Sequence, residues 1–152
     1  MHNELELQQS FNSCALAALS YALNVKYGIK SNERTLARKA AAFYTGSGGL
    51  PPEHGYSVGD VVRLSAALGV EAGAWRLSFN TIPHHSLPAL LWLRENGRDH
   101  VVVLLALASE SAHLFDPAVG HYWVSKDTLA ERWLADSDTG LFIALTSVSS
   151  HG

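Results

Sequence analysis

The sequence predicts an α+β domain in which helices come first and the strands of an antiparallel sheet follow. Two observations carry this. As far as Gly69, apolar residues recur at helical spacing, in segments parted by Gly28 and by the glycine- and proline-rich stretch Thr45 to Pro52. From Val70 onward the period changes to short, mostly apolar runs with turn residues between them, which is how buried strands read. With 152 residues and no long polar or proline-rich tract, the chain fits one domain over 1–152, large enough to bury a core without disulfides or a structural metal.

The first helix is read over Cys14 to Tyr27. Cys14, Ala17, Ala18, Tyr21, Ala22 and Val25 mark one face and Leu16, Leu19 and Leu23 a second, so the helix is apolar almost all round and central. Gly28 stops it, and Ser31 or Asn32 caps a second helix running to about Phe43. Ser57 with Asp60 three residues on resembles a capping box ahead of a helix over Val58 to Leu68, which Gly69 closes. Strands follow at Val70 to Trp75, Leu87 to Leu93, His100 to Leu107, His113 to Phe115, Tyr122 to Val124 and Leu141 to Thr146. Ser125 caps one more helix, over Lys126 to Trp133.

Composition removes several classes of function. A net charge of -3 without a Lys/Arg cluster leaves no electrostatic footprint for nucleic acid or an anionic membrane. The longest apolar runs, Leu87 to Leu93 and Val101 to Ala108, are too short to cross a bilayer as helices, so no membrane span is expected. Nothing before Leu5 has the form of a signal peptide, although one could have been removed from a precursor. The single cysteine forms no internal disulfide and is silent about redox compartment. Eight histidines invite a metal, yet His84 and His85 are adjacent, and His54, His113 and His121 follow no ligand spacing, so no metal is expected.

The cysteine is the centre of the chemical reading. Placed at the start of the central helix, after Asn12 and Ser13, the Cys14 thiol would feel the positive end of the helix dipole and unpaired N–H groups, and its pKa would fall. That is what a nucleophilic thiol needs near neutral pH, though a free cysteine also packs as a small hydrophobe. His100 heads the apolar strand VVVLLAL, a rigid mount for a base at a cleft. Asp99 is a poor orienter for it, because adjacent strand residues point to opposite faces. Asp116, at the end of the strand HLFD and fixed by Pro117, is better placed to hold one imidazole tautomer. A tight hairpin centred on Glu110 would set Asp116 opposite about Leu104, so the strand must bend or the side chain reach back. Acyl transfer also needs donors for an oxyanion: the Cys14 N–H can supply one and a side-chain amide from Gln8 or Gln9 the other, although a glutamine viewed alone reads as a polar surface residue.

Together these residues resemble the bacterial cysteine peptidases of papain-like fold that process double-glycine leader peptides, best known as N-terminal domains of bacteriocin-exporting ABC transporters. The strongest piece is Gln8-Gln9-Ser10-Phe11-Asn12-Ser13-Cys14-Ala15-Leu16-Ala17-Ala18-Leu19, similar to the family's motif of a Gln six residues before the nucleophile. Further pieces are Gly55-Tyr56-Ser57, Ala67-Leu68-Gly69-Val70, Leu87-Pro88-Ala89, Asp99-His100-Val101-Val102-Val103-Leu104 and Asp116-Pro117-Ala118-Val119-Gly120. Ser13 and Ala15 depart from the family's usual Asp and Gly, which bears on rate or substrate fit.

The resemblance implies a papain-like fold and a Cys14–His100–Asp116 triad with Gln8 in the oxyanion hole. It also implies cleavage of a peptide or protein substrate after a Gly-Gly pair, and no cofactor. With no transporter segment in sight, the chain is similar to stand-alone members that serve secretion or surface-fibre systems, which points to the periplasm over the cytoplasm and to secretion machinery as a partner. The rival is a non-catalytic peptide-binding adaptor on the same fold; an amidase or transpeptidase using the same triad is a third reading. Trp75, Trp92, Trp123 and Trp133 could grip a leader helix, but strand aromatics more often lie in the core. The Gly46 to Pro52 loop could be a lid or a plain connection.

Overall fold

The computed structural model describes residues 2–47, 56–95, 98–135 and 137–148. Its helices are α1 (His2–Tyr27), α2 (Glu33–Ala40), α3 (Val58–Ala67) and α4 (Lys126–Leu134), with a 3₁₀ turn over Ala41–Ser47 after α2. Its strands are β1 (Val70–Leu77), β2 (Ala89–Glu95), β3 (Arg98–Leu107), β4 (Ser111–Asp116), β5 (Gly120–Ser125) and β6 (Gly140–Val148). They form one antiparallel sheet in the order β1-β6-β2-β3-β4-β5. The mixed helices and antiparallel sheet are those the sequence predicts. Of the Gly46 to Pro52 loop, only Gly46 and Ser47 are described, and they close the 3₁₀ turn; the lid lies outside the described residues, as does His54. Among the described residues no helix is long and apolar enough to cross a membrane.

The caps explain the element boundaries. Asn32, not Ser31, caps α2 by accepting from the Thr35 N–H at 2.9 Å, while the Ser31 hydroxyl donates to the Ser20 hydroxyl. Ser57 and Asp60 form the full box: the Asp60 N–H donates to Ser57 Oγ at 3.1 Å, and the Ser57 N–H to Asp60 Oδ2 at 3.0 Å. Ser125 accepts from the Thr128 N–H at 3.1 Å and starts α4. Gly28 and Gly69 end α1 and α3 at φ of 68° and 83°, where a Cβ would be strained.

Why the central strands read as unbroken apolar runs is seen in their two faces. Leu90, Val101, Val103, Ile143 and Leu145 turn toward α1, α2 and α3, packing on Ala15, Leu16, Ala18, Leu19, Leu23 and Leu64. Leu91, Leu93, Val102, Leu104, Phe142 and Ala144 turn the other way, toward Leu129 and Trp133 of α4. Strands β2, β3 and β6 are therefore covered on both sides, and alternation with polar residues disappears from their sequence. The edge strand β5, by contrast, alternates in exposure.

Burial departs from expectation at three places. Val25 is 48% exposed, whereas its neighbour Lys26 turns to the sheet and donates to the Leu145 carbonyl. Trp133 is core, with Nε1 donating to the Leu141 carbonyl at 2.8 Å, and its ring lies so close over Gly140 that a Cβ there would collide with it. Trp75 and Trp123 are not core but 46% and 58% exposed, since both sit on the edge strands, β1 and β5.

Candidate active site

Helix α1 begins at His2, so Cys14 stands in its middle and not at its start. The apolar period that opens at Cys14 marks where the helix becomes buried, whereas helix formation itself continues upstream through HNELELQQS, which is rich in Glu, Leu and Gln and contains neither Gly nor Pro. Twelve residues separate the thiol from the positive end of the dipole, an effect confined to the first turn. The lowered thiol pKa expected from that end is therefore overturned. Burial first, then the charges of Asp116 and Glu33, push the Cys14 thiol up to about 11. The resting group is a neutral thiol.

His100 stands at the entrance to β3, opposite Leu93 of β2. Its Nε2 lies 2.6 Å from Asp116 Oδ2, and both side chains are largely buried. Oδ1 of the same carboxylate accepts from the Ala118 N–H at 2.8 Å, so the Asp116-Pro117-Ala118 turn gives each oxygen one partner. Asp99, as the alternation of side chains requires, points elsewhere and faces Arg94, with the charged groups 3.7 Å apart.

A β-bulge brings the pair within reach. Leu107 faces Ala112 and Ala106 faces His113, but Leu105 is skipped and Leu104 faces Leu114. With Phe115 opposite Val103, Asp116 comes level with Val102 rather than Leu104, which makes it the diagonal neighbour of His100 on one face of the sheet. Of this two-residue shift from the register of a hairpin centred on Glu110, the turn supplies one by pairing Leu107 with Ala112, and the skipped Leu105 supplies the other.

Cys14 lies on α1, close enough to Asp116 for its charge to be felt by the thiol. Tyr21 follows it by two turns on the same helix face and stacks on Phe115, ring centroids 3.8 Å apart and planes within 7°. That stack ties the face of α1 bearing the thiol to the strand that ends in Asp116, whose charge reaches Cys14. Among the described residues no hydrogen bond joins the thiol to His100 or Asp116. With Nε2 engaged by Asp116, Nδ1 is the imidazole nitrogen left to exchange a proton with a thiol.

Gln8 lies in α1 six residues before Cys14. In a continuous helix that is about 9 Å along the axis and about 240° around it, so the two residues occupy different faces. The Cys14 N–H, within the helix, is directed to the carbonyl four residues back.

A cavity of about 490 Å³ opens at the same end of the sheet as His100, bounded by Leu93 and Asp99, the start of α3 at Ser57 and Val58, and Trp133 of α4. Its volume is that of an ordinary ligand cleft. Asp60 stiffens the α3 wall. Burial alone would raise its carboxyl, but hydrogen bonds from the Tyr44 hydroxyl, the Ser57 N–H and Arg63 outweigh that and hold it below the usual carboxylate range. Arg76 and Arg94, which the sequence reading did not single out, also line this cavity.

The Peptidase C39 family model matches residues 2–144. Among curated proteins, the "Probable functional amyloid protease FapD" of Pseudomonas aeruginosa is 27% identical over 134 residues, 86% of this chain and 57% of that protein. The chain thus spans little more than half the length of this relative. Among solved structures, the peptidase domain of Streptococcus ComA, a bifunctional ABC transporter involved in a quorum-sensing pathway, superposes with a TM-score of 0.68 at 19% identity, over 89% of this chain and 91% of that one. A double-glycine motif protease from an AMS/PCAT transporter, solved with its leader peptide, gives a TM-score of 0.65 at 18% identity over 88% and 84%. At these identities the two structures speak for the fold.

Proposed function

This chain belongs to the peptidase C39 family, and from that membership we propose that it is a cysteine endopeptidase cutting a peptide or protein substrate after a Gly-Gly pair, in the service of that substrate's export. The observation that carries the reading is the largely buried His100–Asp116 pair at 2.6 Å, with its carboxylate felt by Cys14. Cys14 is the nucleophile. As its Sγ attacks the carbonyl of the second Gly, the thiol proton passes to His100 Nδ1, and Asp116 stabilises the imidazolium. His100 then returns the proton to the leaving amine as the C–N bond breaks, leaving a thioester. Water attacks the thioester carbonyl and gives a proton to His100, which restores the thiol when the C–S bond breaks. No cofactor enters these steps. The name of the curated relative, a probable functional amyloid protease, supports a surface-fibre substrate, and we place the chain in the periplasm on that reading.

Gln8 and the Cys14 N–H are the oxyanion donors in this proposal. Gln8→Ala is then expected to lower kcat by about 10²- to 10³-fold with little change in KM, the signature of a lost transition-state contact, measured on a fluorogenic Gly-Gly peptide. An unchanged kcat would remove Gln8 from the site. Substrate choice is read by mass-spectrometric mapping of the products. Cleavage is expected after the second Gly, and replacing that Gly by Ala is expected to cost about 10- to 200-fold in kcat/KM. Cleavage indifferent to both glycines would sink the double-glycine assignment.

A further inference from the structure

We propose that His113 and His121, on neighbouring strands β4 and β5, form a two-imidazole site for a late first-row divalent metal ion such as Ni²⁺, Cu²⁺ or Zn²⁺. Strand register places Phe115 opposite His121 and Trp123 opposite His113, so the two histidines are diagonal neighbours on one face of the ribbon. Their facing nitrogens, His121 Nδ1 and His113 Nε2, are 3.2 Å apart. The two nitrogens share a hydrogen bond whose proton an ion would displace. With metal–nitrogen bonds of about 2.0–2.1 Å, an ion holds neighbouring ligand nitrogens about 2.9 Å apart in square geometry and about 3.3 Å apart in tetrahedral geometry, so the rings already stand near the spacing required.

Each ligand is independently oriented. The Tyr21 hydroxyl, arriving from α1, lies 3.1 Å from His121 Nε2. When Nε2–H donates to that oxygen, the lone pair is left on Nδ1, the atom that faces His113, and such an outer partner is how ligating histidines are commonly fixed. The His113 ring lies against Trp123, centroids 4.9 Å apart and planes within 12°, which sets its plane. Both histidines are on the solvent side, leaving room for water to complete the coordination. Imidazole nitrogen selects the late first-row metals and gives calcium or magnesium, which want oxygen, no advantage. Among the described residues no group of three or more His, Cys, Asp or Glu gathers around one point, so the protein supplies two ligands. An ion there would bridge β4 to β5 beside the Tyr21–Phe115 stack that holds α1 to the sheet.

The test is calorimetric titration of the full chain with Ni²⁺, made in a Cys14→Ser background so that the thiol cannot bind the probe. One ion per chain is expected. The affinity should fall at least about tenfold in His113→Ala and in His121→Ala, and remain unchanged when His2, His84 and His85 are replaced together. The same losses in His113→Gln and His121→Gln would exclude misfolding as the cause. Tyr21→Phe, which removes only the orienting contact, is expected to weaken binding by about tenfold. Melts with Ni²⁺ at a hundred times its Kd should shift the Tm up by roughly 5–10 °C, while Mg²⁺ shifts nothing. No binding, binding that survives loss of both His113 and His121, or binding that follows His2, His84 and His85, would overturn the site.

Discussion

Cys14→Ser is expected to lower hydrolysis of a Gly-Gly peptide by about 10⁴-fold or more, and His100→Ala to do nearly the same, with the double variant no worse than either alone. The reason lies in the state of the thiol. With its pKa pushed up to about 11, only about one molecule in 10⁴ carries a thiolate at pH 7. In the proposed mechanism the nucleophile is made during the reaction, with the imidazole held by Asp116 as the base that makes it. On that mechanism, removing His100 takes away the base and also the acid that serves the leaving amine. Residues that act as one unit lose their effect together, hence the lack of additivity. Steady-state kinetics on the three variants decides the matter. A Cys14→Ser chain that still binds the substrate, beside a wild type that never cuts it, would put the peptide-binding adaptor in place of the peptidase.

Asp116→Asn is expected to move two measurements in opposite directions. The carboxylate holds His100 in position, so its loss should reduce kcat by about 10²- to 10⁴-fold, the range general acid–base catalysis contributes. Yet the same negative charge is, after burial, a cause of the raised thiol pKa. An amide in place of the carboxylate carries no charge, so the thiol pKa would fall. Alkylation of Cys14 by iodoacetamide at neutral pH should then quicken by a few-fold, each unit of pKa being worth about tenfold in thiolate. In the wild type, alkylation should keep rising through pH 9 toward a midpoint near 11. A wild-type profile that levels off below pH 7, or an Asp116→Asn chain slowed in both assays, would mean that a standing thiolate–imidazolium pair governs Cys14.

Much of this architecture is legible in the chain because the signals are local. Ser57 with Asp60, Ser125 ahead of Lys126, and Gly28 and Gly69 at positive φ act within four residues of themselves, and helix ends fall where they stand. The apolar runs of β2, β3 and β6 announce strands buried on both faces. The start of α1 has no such signal. Asn12 and Ser13 look like caps, but the good helix formers upstream carry the helix on to His2, and with the helix start goes the low thiol pKa inferred from it.

By itself, then, the sequence determined the order of helices and strands, the α+β class and the residues at which acyl-transfer chemistry is expected: Cys14, His100, Asp116 and Gln8. Tertiary structure alone decided how several of them meet. The bulge at Leu105 sets Asp116 diagonal to His100, the pairing of β4 with β5 brings His113 to His121, and edge positions leave Trp75 and Trp123 exposed. The physical reason is range. Capping and periodicity are interactions between residues a few positions apart, whereas register, burial and the electrostatic field at a thiol are sums over neighbours that only folding brings together.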